Sequence, residues 1–126
     1  MEQARGKIMQ VSIQSSSFTL TDALRNHVQT RLGFTFSRAR NRVRLVQVRL
    51  SDLNGPRGGI DKRCLVKVCM EGLTDVVVED VQPDMYHAID RAADRAARTV
   101  MRRLALDSNR RRRHARQQLQ HLSDGL

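Results

Sequence analysis

The chain has 126 residues, a length that suits one domain around one hydrophobic core. A hydrophobic fraction of 40% and a charged fraction of 29% fit a globular chain, while 3% aromatics and no Trp argue against gripping single strands by base stacking. The formal net charge of +10 and a pI near 11.3 call for an acidic partner, of which nucleic acid is the commonest.

Residues 1–8 are read as an N-terminal extension, and "MEQARGKIMQVSIQ" holds no apolar run suited to a signal peptide. "MQVSIQS" (9–15) alternates, with Met9, Val11 and Ile13 on one side and Gln10, Ser12 and Gln14 on the other, as in a half-buried strand. "TDAL" opens a helix, with Thr21 as N-cap and Asp22 favourable in the first turn. Leu24, Val28 and Leu32 give it one apolar face, and Gly33 weakens it toward its end. "RVRLVQVRLSD" (42–52) is a second strand with Val46, Val48 and Leu50 on one face, and "LNGPRGGID" (53–61) is a loop.

"KRCLVKVCME" (62–71) is a third strand with Cys64, Val66, Val68 and Met70 inward. Cys64 and Cys69 then face opposite sides and cannot bridge, which fits a reducing cytoplasm. Gly72 marks a tight turn, and "TDVVVEDV" (74–81) is a fourth strand with Val76 and Val78 inward. Pro83 and Asp84 start a second helix that is expected to run to about Leu106. "DSNRRRRHARQQLQHLSDGL" (107–126) lacks a periodic apolar face and is expected to be a basic, flexible tail. No stretch approaches the 18 apolar residues of a membrane span.

The resulting order is β-α-β-β-β-α, an α+β fold with a four-stranded mixed sheet and both helices on one face. Its domain spans residues 9–106. The β-α-β crossover makes the first two strands parallel and right-handed in connection, and the remaining links are hairpins.

"AIDRAADRAARTVMRR" (88–103) places Arg91, Arg95, Arg98 and Arg102 at i, i+4, i+7 and i+11. At 100° per residue the four fall within about 60° of one another, beside the face formed by Met85, Ile89, Ala92, Ala96 and Val100. Asp90 and Asp94 fall on a separate side, leaving Asp94–Arg98 as the main favourable i,i+4 pair. Like charges at i,i+4 cost about 0.2–0.5 kcal/mol each, so a surface built only for solubility would mix signs. From Arg91 to Arg116 ten Arg stand against Asp94 and Asp107, a net +8. The strip is a candidate phosphate-binding face on a rigid element.

"DMYHAIDRAADRAARTVMRR" resembles the second helix of the ribosome hibernation-promoting factors and ribosome-associated translation inhibitors. Asp84, Met85, Tyr86, Ala88, Ile89 and Asp90 carry the likeness, and Arg95, Arg98 and Arg102 stand where that family has Lys or Arg. "MQVSIQS" looks like the family's opening strand, and "TDALRNHVQTRL" looks like its first helix, with Arg25, His27, Val28, Arg31 and Leu32 in place. "VRLSDLNGPRGGIDKRC" is similar to a longer-loop branch, and the likeness covers residues 9 to about 105. Phe34 stands where a basic residue is common, with Arg38, Arg40 and Arg42 following; Arg91 rests on the spacing alone.

The resemblance implies a β-α-β-β-β-α protein that binds the small ribosomal subunit between head and body. There it would occupy the path of mRNA and tRNA, contact 16S ribosomal RNA through basic helices, and stop translation in stationary phase or stress. Long members carry a second, dimer-forming domain for which this length leaves no room, so the free protein is expected to be a monomer in the bacterial cytoplasm. The implied RNA-binding set is Arg25, Arg31, Lys62, Arg63, Arg91, Arg95, Arg98, Arg102 and Arg103, joined by Arg110, Arg111, Arg112 and Arg113 of the tail. The alternative is a general double-stranded RNA or nucleic-acid-binding module.

Other chemistries find little support. "NGPRGGIDKR" lacks the spacing of a phosphate loop and no helix follows it, though Arg57, Lys62 and Arg63 are placed to touch RNA. His27, His87, His114 and His121 show no metal spacing, and Asp80 and Asp84 fit helix-terminus electrostatics better than paired acid–base work. With no nucleophile triad, no enzyme, cofactor or small-molecule substrate is expected.

Overall fold

The computed structural model describes residues 9–54 and 61–124. Strands β1 (Gln10–Ser16), β2 (Val43–Asp52), β3 (Lys62–Met70) and β4 (Val76–Gln82) form one sheet in the order β1-β2-β3-β4. β1 and β2 are parallel, which needs a crossover, and helix α1 (Asp22–Thr35) supplies it. The other two pairings are antiparallel. Helix α2 (Met85–Asp124) closes the chain, so the order is the expected β-α-β-β-β-α with both helices on one face of a mixed sheet. No helix among the described residues is long and apolar enough to cross a membrane.

Local chemistry sets each boundary. The Thr21 side chain accepts from the Leu24 amide at 3.2 Å and caps α1. Asp84 does the same for α2, its carboxylate accepting from the His87 amide at 3.0 Å. Gly72 turns the chain between β3 and β4 at φ +75°, a conformation that costs a glycine least. The register slips between Val43 and Leu45, so Arg44 is an extra residue in β2. That bulge moves the buried positions from Val43 to Val46, Val48 and Leu50, and explains why alternation alone leaves Val43 off the inner face.

The core lies between the inner sheet face and the helices. Val46, Val48, Leu50, Cys64, Val66, Val68, Val76 and Val78 meet Leu24, Val28 and Leu32 from α1 and Ile89 and Val100 from α2. Five alanines of α2, at 88, 92, 93, 96 and 97, are buried as well. Their small side chains let the α2 backbone lie close to a sheet of short β-branched residues. Burial pushes the Cys64 thiol up to about 12, with the nearby Asp80 charge adding to the effect, so it stays protonated and inert.

One expectation is corrected. α2 does not end near Leu106 but continues to Asp124, and the segment expected to be a flexible tail is helical. A separate basic peptide would have to nucleate a helix against its own repulsion. Here nucleation is already supplied by the packed turns, and Arg, Gln, Leu and Ala are good helix formers. Asp107 adds pairs to Arg110 at i+3 and Arg111 at i+4.

Filling the close helix–sheet approach should be costly. Ala96→Leu is expected to destabilise the fold by about 1–3 kcal/mol through overpacking, read as a lower urea midpoint at unchanged m-value. An unchanged midpoint would show that α2 has room to spare.

Candidate nucleic-acid interface

α2 runs antiparallel to β4, so the arginine strip lies along that edge of the sheet. Asp80 points inward from β4 with its side chain only 6% exposed, and both Arg91 and Arg95 reach it. Arg91 Nε lies 3.3 Å and Arg95 Nη1 3.1 Å from the same carboxylate oxygen, and Arg95 Nη1 also donates to the Glu79 carbonyl at 2.8 Å. Gln82 donates to the other oxygen at 2.7 Å. Burial alone would raise the Asp80 carboxyl, but the bonds from Gln82 and Arg95 and the charge of Arg91 outweigh it and hold the group below its ordinary 3.8. The two arginine side chains stay about half exposed, at 52% and 45%. They are fixed from behind and open in front.

Arg98 and Arg102 differ. Both are exposed, and neither has a hydrogen-bond or acidic partner among the described residues. The expected Asp94–Arg98 pair is not formed, because Asp94 accepts both bonds from Arg31 Nη2 of α1, at 2.9 and 3.0 Å. Asp90 takes His27 Nε2 at 2.7 Å, and His27 meets Tyr86 edge-on at 4.9 Å between ring centroids. The acids that fall away from the strip therefore join the two helices to each other. Arg31 belongs first to that seam, whereas Arg25 is exposed with no partner among the described residues.

The other candidates scatter. Arg103 donates to the carbonyls of Thr74 and Asp75 at 3.2 and 3.3 Å and ties α2 to the start of β4. Lys62 bridges Asp61 at 2.9 Å and Asp52 at 3.2 Å, and chiefly the Asp61 bond holds it above its ordinary 10.5 against desolvation. Arg63 pairs with Glu79 on the sheet face away from the helices. Arg57 lies outside the described residues. Arg42 is held by Asp107 and the Glu71 carbonyl, while Arg38 and Arg40 are exposed. Arg110 and Arg111 also hold Asp107, Arg112 bonds the Ser108 hydroxyl at 3.2 Å, and Arg113 is exposed without a partner among the described residues. The fold thus brings Arg91, Arg95, Arg98 and Arg102 together and leaves Lys62 and Arg63 apart from them. No group of three or more His, Cys, Asp or Glu fit to hold a metal occurs among the described residues.

The model of the family described as "Sigma 54 modulation protein / S30EA ribosomal protein" matches residues 11–105. The chain belongs to this family. S30EA proteins are ribosome-associated and non-enzymatic. The N-terminal domain of Thermus thermophilus Protein Y is 30% identical, with 72% of this chain and 93% of that one covered at a TM-score of 0.61. A ribosomal subunit interface protein from Coxiella burnetii shares the fold at 15% identity, with 77% and 99% covered and a TM-score of 0.65. No curated protein matches the chain. The S30EA match takes in nearly all of the sheet, α1, α2 as far as Ala105 and the whole strip, and stops before the arginine run at 110–113.

Sequence reasoning missed Asp80 and Asp107 as organisers of the basic residues. Asp80 carried a signal, since it is the acid at the inward parity of β4, two residues beyond Val78. Its folded-state value lies below the unfolded one, so it contributes stability at neutral pH that is lost as pH falls below the ordinary carboxylate range. Asp80→Asn is expected to cost about 1–3 kcal/mol at pH 7, less than a fully buried pair because the arginines are half exposed. The gap to the wild type should narrow steadily in denaturation series as pH falls through and below the ordinary carboxylate range. A gap that persists into acid would mean that charge at Asp80 is not its source.

Proposed function

We propose that the protein docks on the small ribosomal subunit in the channel used by mRNA and tRNA, with the α2 strip against 16S ribosomal RNA. Occupying that channel stops translation and keeps idle ribosomes inactive in stationary phase or stress. The free protein is a monomer of the bacterial cytoplasm and needs no cofactor. Docking is electrostatic and inhibition is steric, so no bond is made or broken.

The observation that carries this reading is the division of labour within the strip. Arg91 and Arg95 are pre-oriented by Asp80, and Arg98 and Arg102 are exposed without an acid among the described residues. Side chains already ordered lose less entropy on meeting phosphate, and Arg presents a fork that matches phosphate oxygens. Membership of a ribosome-associated family supports the ribosome as the source of those phosphates.

Arg98→Glu with Arg102→Glu removes the unpaired pair without touching the Asp80 cluster. Affinity for purified small subunits should fall by about two orders of magnitude near 0.15 M salt, and the slope of log affinity against log salt should drop by about 2. The urea midpoint should stay put. Tight binding by this variant would sink the strip as the docking face. Wild-type binding should saturate near one-to-one and yield to mRNA and tRNA; a protein that instead tracks total RNA without saturating is a general nucleic-acid binder.

A further inference from the structure

α2 changes character at Asp107. Up to that point it is packed on the sheet; from Ser108 to Leu122 every residue is exposed. The family match stops at residue 105, so this stretch is an addition to the S30EA domain. At 1.5 Å per residue it carries the helix roughly 25 Å beyond the domain.

Its direction is set where it leaves. The Asp107 side chain is 3% exposed and meets Arg42 at 3.5 Å, Arg110 at 2.9 Å and Arg111 at 3.1 Å. Burial alone would raise this carboxyl, and the Arg110 bond with the charges of Arg111 and Arg42 holds it below its ordinary value. Arg42 is tied in turn to Glu71, donating to its carbonyl at 3.3 Å and accepting from its amide at 3.0 Å. The root of the projection is therefore clasped to the start of β2 and the end of β3.

Its charge is arranged unlike the strip. Spacing of i, i+4, i+7 and i+11 gathers arginines on one side, whereas the consecutive run Arg110–Arg113 steps about 100° each time and surrounds the helix. Arg116 adds a fifth, and from Ser108 to Ser123 there is no acid. Leu106, Leu119 and Leu122 are exposed but form no broad apolar face, which argues against lying on a lipid surface.

We infer that residues 108–124 are a second RNA-binding element, a rigid basic helix that inserts between ribosomal RNA backbones and meets phosphates on more than one side. This rests on the ribosome-docking reading and extends it to arginines that begin roughly 12 Å beyond Arg102 along the helix axis. Because the helix is already formed and aimed by Asp107, binding avoids the ordering cost borne by a disordered basic tail. Phosphates also relieve the repulsion among Arg112, Arg113 and Arg116.

The test uses the full chain bound to small ribosomal subunits, with a photoreactive residue at position 118 or 120, on opposite sides of the helix, or at position 105 on the strip's side. RNA crosslinks from both 118 and 120 are expected. Arg112→Gln, Arg113→Gln and Arg116→Gln together should lower the salt slope by about 2–3 while the position 105 crosslinks persist. Crosslinks from only one of 118 and 120, crosslinks to protein, none at all, or an unchanged slope would overturn the inference while RNA crosslinks from 105 keep the docking reading intact. Failure of the wild-type protein to bind subunits would overturn both.

Discussion

A single buried carboxylate connects the sheet to the surface proposed to meet ribosomal RNA. Asp80 sits where the alternation of β4 would place a third apolar residue, and it engages Arg91 and Arg95 from behind. A charge so placed is tolerable only if it is paired and hydrogen-bonded. Two arginines and Gln82 meet that condition, and in doing so they lock α2 over β4 and aim two guanidiniums outward. One interaction thus serves both packing and presentation.

The remaining charges follow the same logic. Asp90 and Asp94 seal α1 to α2 through His27 and Arg31, Arg103 fastens α2 to the loop before β4, and Asp107 anchors the root of the projecting helix. A net charge of +10 is therefore not spread evenly over the surface. Many basic side chains are engaged in holding elements together. Those that remain exposed without a partner among the described residues, such as Arg98, Arg102 and Arg113, are where a polyanion gains most. Partnered arginines still contribute to the field, but half of each pair is already neutralised.

Strand and helix periodicity sufficed for the architecture. Val46, Val48 and Leu50, the 64–70 alternation and the Leu24, Val28, Leu32 spacing each report burial on one face, and they fix element order because local pattern and tertiary face agree. The strip was legible for the same reason: it is a property of one helix. What could not be read was anything joining residues distant in the chain. Asp80 with Arg91 and Arg95, Arg31 with Asp94, and Arg42 with Asp107 depend on which elements become neighbours. The helical state of 107–124 escaped for a related reason, since a segment with no apolar face of its own takes its helix from continuity with packed turns earlier in the chain.

If docking proceeds as proposed, the helix side, and within it the strip on α2, faces ribosomal RNA. A cryo-EM reconstruction of the protein on the small ribosomal subunit tests it directly. Arg98 and Arg102 are expected within hydrogen-bond reach of RNA phosphates, with Arg91 and Arg95 still holding Asp80 while their outward N–H groups meet the backbone. A reconstruction that turned the strip to solvent and laid the outer sheet face, with Arg49, Arg63 and Lys67, against the RNA would contradict it.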